Sequence, residues 1–261
     1  MYHCTMIDTH AHLYLEDYDQ DLEEVISRIR AARISRIYLP NIDADHILSM
    51  KERVSTYPDL FYPMMGLHPC SVKPDSYVEE LNAVRKELSE HPGYYHAVGE
   101  IGIDLYWDKT TRDIQEQAYR LQIEWAIEYN LPIVIHSRDS LDLTISVIED
   151  MKVDGLTGIF HCFNGTIEQA HRIMELGFLM GIGGVVTFKN AGVDKVVAQL
   201  PLTSLVLETD APYLTPVPFR GKRNESSYLT YIADKIAEVK DVNVEEVIDK
   251  TTRNALELFG S

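Results

Sequence analysis

At 261 residues, with 45% hydrophobic and 25% charged side chains, the chain has a globular composition that excludes intrinsic disorder, and its length suits an α/β barrel. A formal net charge of −17 and the lack of a basic stripe argue against binding along many phosphates, so a polyanion would have to be held locally, through cations or a short basic loop. No stretch approaches the roughly 18 apolar residues of a membrane span, and the first residues lack the pattern of a secretion signal.

Cys4, Cys70 and Cys162 are odd in number and far apart, which speaks against a disulfide framework or a structural zinc knuckle. The expectation is a cytoplasmic protein with no membrane partner and no evident obligate protein partner.

In chain order, short β-branched or aromatic runs fall at 6–12, 34–41, 61–67, 95–100, 131–136, 156–161, 178–183 and 204–210. Amphipathic helical patterns lie between them, among them 21–32, 112–129, 166–176 and 227–239, and 244–259 reads as a closing helix. Apolar runs of strand length separated by helices predict βαβ units and a parallel sheet buried on both faces. Eight such units predict a single (β/α)8 (TIM) barrel over 1–261, since no low-complexity tract or linker divides the chain. Asp43 and Thr166, the latter two residues before Glu168, supply helix-start chemistry.

The runs finish on unusual residues: His10 and His12, His68, Glu100, His136, His161 and Asp210. Active sites of barrels sit at the C-terminal face of the strands, so this pattern predicts a metal site on that rim. In Ile7-Asp8-Thr9-His10-Ala11-His12, the two-residue spacing on a strand points both imidazoles to one face. A solvent-facing histidine pair is the plainer alternative. In Val98-Gly99-Glu100-Ile101-Gly102-Ile103-Asp104, a carboxylate between glycines can bridge two cations, although a salt-bridged Glu would look the same.

His136 and His161 each end a hydrophobic run. A lone histidine there is more often a hydrogen-bonded core residue, but two on strands of one barrel favour ligation. Asp210, in Glu208-Thr209-Asp210-Ala211-Pro212, closes the set and is expected both to bind a cation and to take a proton from the attacking water. The expected arrangement is two divalent cations sharing Glu100, with His10, His12 and Asp210 at one and His136 and His161 at the other. Mg2+ or Mn2+ are the expected ions, with Zn2+ a further option. Imidazole-rich ligation suits manganese and zinc better than magnesium.

Together these motifs resemble the TatD family of metal-dependent deoxyribonucleases, within the amidohydrolase-like barrels. The likeness also takes in Gly66-Leu67-His68-Pro69, His136-Ser137-Arg138, His161-Cys162-Phe163-Asn164-Gly165 and the late basic loop Arg220-Gly221-Lys222-Arg223-Asn224-Glu225. The resemblance implies divalent cations at the six residues above and hydrolysis of phosphodiester bonds, as a DNA exonuclease from the 3′ end or a general phosphodiesterase. It adds His68 and Arg138 as phosphate-contacting residues, and Lys222 and Arg223 as substrate-binding ones.

Ser226 departs from the family, which usually has proline there, and predicts a less rigid loop. Cys162 reads as a small buried filler rather than a nucleophile. A small positive pocket in an acidic shell suits a single-strand end or short oligonucleotide better than long duplex. The alternatives are an amidohydrolase-like enzyme acting on another ester, lactone or amide, and a scaffold that has lost activity; every expected ligand is present, which weighs against the scaffold.

Overall fold

The computed structural model describes residues 5–151 and 155–260; the N-terminal stretch that bears on a secretion signal, with Cys4, lies outside the described residues. Strands and helices alternate: β1 (Met6–Asp8), α1 (Leu22–Ala31), β2 (Ile34–Pro40), α2 (Ile47–Thr56), β3 (Phe61–Met64) and α3 (Tyr77–Glu90). Next come β4 (Val98–Asp104), α4 (Arg112–Tyr129), β5 (Ile133–Arg138), α5 (Leu141–Met151), β6 (Gly158–Phe160) and α6 (Ile167–Glu175). The chain ends with β7 (Leu179–Ile182), α7 (Val193–Val197), β8 (Leu205–Leu207), α8 (Leu229–Lys240) and α9 (Val244–Phe259).

Parallel ladders join β1 to β2 to β3, and β4 through β8 in sequence order. Backbone hydrogen bonds close both seams between these ladders. His96 N donates to Pro63 O (2.9 Å), Met65 N to Ala97 O (3.1 Å) and Gly99 N to Met65 O (3.1 Å). Across the other seam, Thr9 N donates to Leu207 O (3.0 Å), Asp210 N to His10 O (2.9 Å) and His12 N to Ala211 O (2.7 Å), and Ala11 bridges Ala211 in parallel. The fold is the expected (β/α)8 barrel.

Its inside is one packed layer with a contribution from each strand or its immediate lead-in: Ile7, Tyr38, Met64, Ala97, Val134, Ile159, Leu179 and Val206. Phe259 of α9 joins this cluster and stacks on Tyr38 with centroids 3.9 Å apart, so the closing helix plugs the N-terminal end. The fully buried large members of this layer, such as Ile7, Met64 and Val134, each contribute roughly 1.5–3 kcal/mol. With that end filled, chemistry is left to the opposite rim.

The helices form for ordinary reasons. In α1, Leu22, Val25, Ile26 and Ile29 bury one face, acidic Glu23 and Glu24 open it, and Arg28 and Arg30 lie in its last turn. Thr166 caps α6 in a capping box whose return partner is Gln169. Asp43 caps nothing; its carboxylate instead meets His46 Nδ1 (2.5 Å) and Ser71 Oγ (2.9 Å).

Strand limits also differ from the sequence runs. β1 stops at Asp8 and β8 at Leu207, so His10, His12 and Asp210 stand on the turns beyond, whereas Glu100 and His136 lie inside β4 and β5. Among the described residues, no helix is long and apolar enough to cross a membrane.

Candidate metal centre

The barrel brings all six predicted ligands to one buried cage on this rim. Glu100 stands at its middle, and its two carboxylate oxygens face different groups. Oε2 meets His10 Nε2 (3.2 Å) and His12 Nε2 (3.6 Å), and both rings also approach Asp210 Oδ1, at 3.7 and 3.6 Å. Oε1 meets His136 Nδ1 (2.7 Å), His161 Nε2 (2.9 Å) and His68 Nε2 (3.5 Å).

Hydrogen bonds behind the rings decide which nitrogen offers a lone pair. Tyr14 donates its hydroxyl to Pro40 O (2.6 Å), so it accepts from His12 Nδ1 (2.9 Å) and leaves His12 Nε2 bare toward the cage. Asp104 Oδ2 takes the Nε2 side of His136 (2.9 Å), which turns the bare Nδ1 inward. Glu208 Oε1 stands 3.4 Å from His161 Nδ1, near enough for charge attraction, although that nitrogen makes no aligned hydrogen bond. Carboxylates and hydroxyls behind imidazoles fix orientation and raise ligand basicity in metal sites.

His68 is set the other way. Cys70 N donates to its Nδ1 (3.0 Å), so the neutral ring carries its proton on Nε2, aimed at Glu100. By distance alone His68 groups with Glu100 and His136 as a possible metal holder. The bond from Cys70 makes it a donor instead.

The electrostatics draw positive charge inward. Burial would raise the Glu100 carboxyl, but His161, His68 and His10 outweigh it and hold Glu100 well below the usual carboxylate range. Asp210 is lowered in the same way: burial opposes, and the nearby His12, His161 and His10 prevail. For His161 burial works downward, yet Glu100 and Glu208 lift it well above an ordinary histidine. Burial and the neighbouring His161 lower His10, whose Nδ1 has no partner.

Ring nitrogens face each other, His10 Nε2 to His12 Nε2 at 3.3 Å and His161 Nε2 to His136 Nδ1 at 3.4 Å. Imidazoles at such separations, with two carboxylates between, fit divalent cations once a cation displaces the ring protons.

Tyr14, Asp104 and Glu208 escaped the sequence reading as participants. Asp104 had a usable signal, because Glu100 and Asp104 share the parity of one strand face. Asp8 is a further hidden member. Fully buried, it accepts from Thr209 Oγ1 (2.6 Å), Thr209 N (3.0 Å) and His10 N (3.3 Å), tying the ends of β1 and β8 together, and burial pushes its carboxyl up to about 7.

His68 lies in the cage, and the other residues expected to touch substrate lie further out. Arg138 ends β5 with its guanidinium 3.8 Å from the centre of the Tyr106 ring and 5.5 Å from that of Trp107. Lys222 is exposed beside the rim. Arg223 is already engaged: it grips Asp21 through two bonds (2.8 and 2.7 Å) and donates to Asp17 O (2.5 Å).

The loop around Ser226 is well tied despite the missing proline. Arg28 forks onto Glu225 (2.8 and 2.7 Å), and Asn224 Nδ2 reaches Thr209 O (2.8 Å) and Tyr213 O (2.6 Å). Cys162 is half-buried rather than a core filler, with a left-handed backbone (φ 47°) whose N donates to Glu208 Oε1 (2.6 Å). Burial and the carboxylates of Glu208, Asp210 and Glu100 push its thiol well up, so it is no nucleophile.

A (β/α)8 barrel with such a cage at this rim has the frame of a metal-dependent hydrolase, and comparison with known proteins puts the chain in that class. It belongs to the TatD family: the model described as TatD related DNase matches residues 7–260. The chain is 45% identical to the uncharacterized metal-dependent hydrolase YabD of Bacillus subtilis, over 97% of this chain and 98% of that one. It is 30% identical to the human deoxyribonuclease TATDN3, over 97% and 94% of the two chains. Among solved structures, the TatD homologue YjjV of Escherichia coli superposes with a TM-score of 0.92 at 30% identity, covering 99% of each chain.

Proposed function

We propose that the protein is a phosphodiesterase, working as a 3′-to-5′ DNA exonuclease on single-stranded ends or short oligonucleotides. The observation that carries this reading is His68 Nε2–H, a donor held beside Glu100 by the Cys70 bond, where an anionic phosphoryl oxygen can accept it. The family and the relative named as a human deoxyribonuclease support DNA as the substrate.

In this reading His10, His12, Asp210 and Glu100 would hold one divalent cation, and His136, His161 and Glu100 a second, with Mg2+, Mn2+ or Zn2+ as the candidates. Such cations supply Lewis acidity that activates water and offsets phosphoryl charge. Asp210, ionised at neutral pH, accepts the proton of the attacking water. His68 donates to a non-bridging oxygen of the scissile phosphate, and Arg138 and Lys222 balance the charge of the approaching strand.

Asp210 adopts φ 55°, a left-handed conformation that asparagine tolerates. Asp210→Asn should therefore keep the melting temperature while manganese-dependent nitrophenol release from bis(p-nitrophenyl) phosphate falls at least about 100-fold. Activity retained in that variant overturns the assignment. A panel of 3′-blocked, single-stranded and duplex oligonucleotides tests direction: the expected result is shortening from free 3′ ends. Comparable cleavage of internal duplex bonds sinks the exonuclease reading, and turnover of lactones or amides alone moves the chain to neighbouring chemistry.

A further inference from the structure

Beside the cage lies a groove that the six ligands do not use. Two adjoining cavities of about 540 and 470 Å³ share Phe188 and Arg220 as walls. The first begins at Tyr213, whose N donates to Asp210 O (2.8 Å) and whose ring lies 6.2 Å from that of His12, and it continues past Lys222 and Arg223. The second runs on along Lys189, Asn190 and Val217. Tyr213, Leu214 and Val217 are exposed apolar side chains here.

Two observations set this groove apart from the acidic surface. Lys189, Arg220 and Lys222 are exposed and form no ion pair among the described residues, whereas Arg223 is neutralised by Asp21; Asp17 supplies the one carboxylate in the lining. Aromatic and cationic groups both line it, Tyr213 and Phe188 beside Lys222, Arg220 and Lys189. Arg220 lies 3.8 Å over the Phe188 ring, and Lys222 stands 5.9 Å from the centre of the Phe219 ring. Aromatic faces interleaved with cations are what unpaired bases and their phosphates need, and three free cations are too few for a long duplex on a chain of charge −17.

We propose that this groove seats the nucleotides next to the scissile bond of a single strand, with bases stacking on Tyr213 and on the Phe188–Arg220 pair and phosphates meeting Lys222 and Lys189. The inference rests on the phosphodiesterase reading, and it extends substrate contact from the β8–α8 loop to the β7–α7 loop.

The test is fluorescence anisotropy of a labelled thymidine oligonucleotide of about eight residues, bound to the full chain in chelator so that nothing is cleaved. Arg220→Ala and Phe188→Leu should each raise Kd roughly tenfold. For Lys189→Ala, which would lose one phosphate contact, the salt dependence of log Kd should flatten by about 0.7. Arg220 is exposed, so its variant should melt like the parent.

Binding by both the Arg220 and Phe188 variants equal to the parent, no binding by the parent, or displacement of the oligonucleotide by polyglutamate as readily as by unlabelled strand each overturns the groove assignment. Nitrophenol release from bis(p-nitrophenyl) phosphate reports the phosphodiesterase reading separately. Release with unaltered variant binding sinks the groove alone. No release, with binding still weakened in the variants, sinks the reading alone.

Discussion

His136 presents Nδ1 to the cage because Asp104 occupies its Nε2, and that one carboxylate makes a sharp test. Asparagine at 104 can turn its amide N–H toward Nε2, forcing the ring proton onto Nδ1, where a cation would need the lone pair. Asp104→Asn should weaken manganese affinity about 10–100-fold in a metal titration, with the fold kept. Unchanged affinity would remove Asp104 from any orienting role.

The same contact has a pH signature. Burial opposes ionisation, but the bond from His136, its charge and the amides of Tyr106 and Trp107 hold Asp104 down to about 2. Its folded value lies below its unfolded one, so its contribution is present above about pH 4 and is lost as pH falls toward 2. After solvent screening it is of the order of 1 kcal/mol. Urea melts of parent and variant should differ near neutrality and converge in acid. The six cage residues were legible because a histidine or carboxylate ending an apolar run is conspicuous. Asp104 left only the hint of strand parity with Glu100, and Glu208 left none, because orienting a ring is a relation between neighbouring strands.

At the scale of the strands, close approach is what glycine supplies. A Cβ on Gly102 would stand 2.0 Å from His136 O, and its φ of 142° is one that side chains rarely adopt; a Cβ on Gly181 would stand 2.0 Å from Glu208 Oε2. Gly102→Ala should cost several kcal/mol, roughly 2–4, in urea unfolding. Gly181→Ala should push Glu208 away from His161 and lower metal affinity more than stability; the reverse order would show Glu208 to be merely structural.

Element type and order were readable from periodicity, and the helix at Arg112–Tyr129 falls on its predicted limits. Strand ends were not. Apolar character and strand propensity carry the runs on to His12 and Asp210, while the ladders stop at Asp8 and Leu207 and the chain turns there, with Asp210 left-handed. A hydrophobic pattern reports burial and is silent about where ladder bonding ceases. The tautomer of His68, set by the backbone amide of Cys70, is equally invisible in sequence.

For the molecule as a whole, a buried cage of imidazoles and carboxylates links cations to folding. Saturating manganese at about 100 times its Kd contributes about 2.7 kcal/mol, so chelation should lower the melting temperature by roughly 5–10 °C and added Mn2+ should restore it. A melting curve indifferent to chelator would count against cations in the cage.

The seam between β1 and β8 carries a further consequence. Asp210 N reaches His10 O, Thr209 reaches Asp8, and Arg223 and Arg28 clamp the last loop to the first helix, so the earliest and latest parts of the barrel rim are joined along this line. During synthesis, His10 and His12 emerge long before the aspartate that must face them. A growing chain therefore carries no finished hydrolytic centre until the eighth strand has left the ribosome. The activity is withheld by topology until the ring is shut.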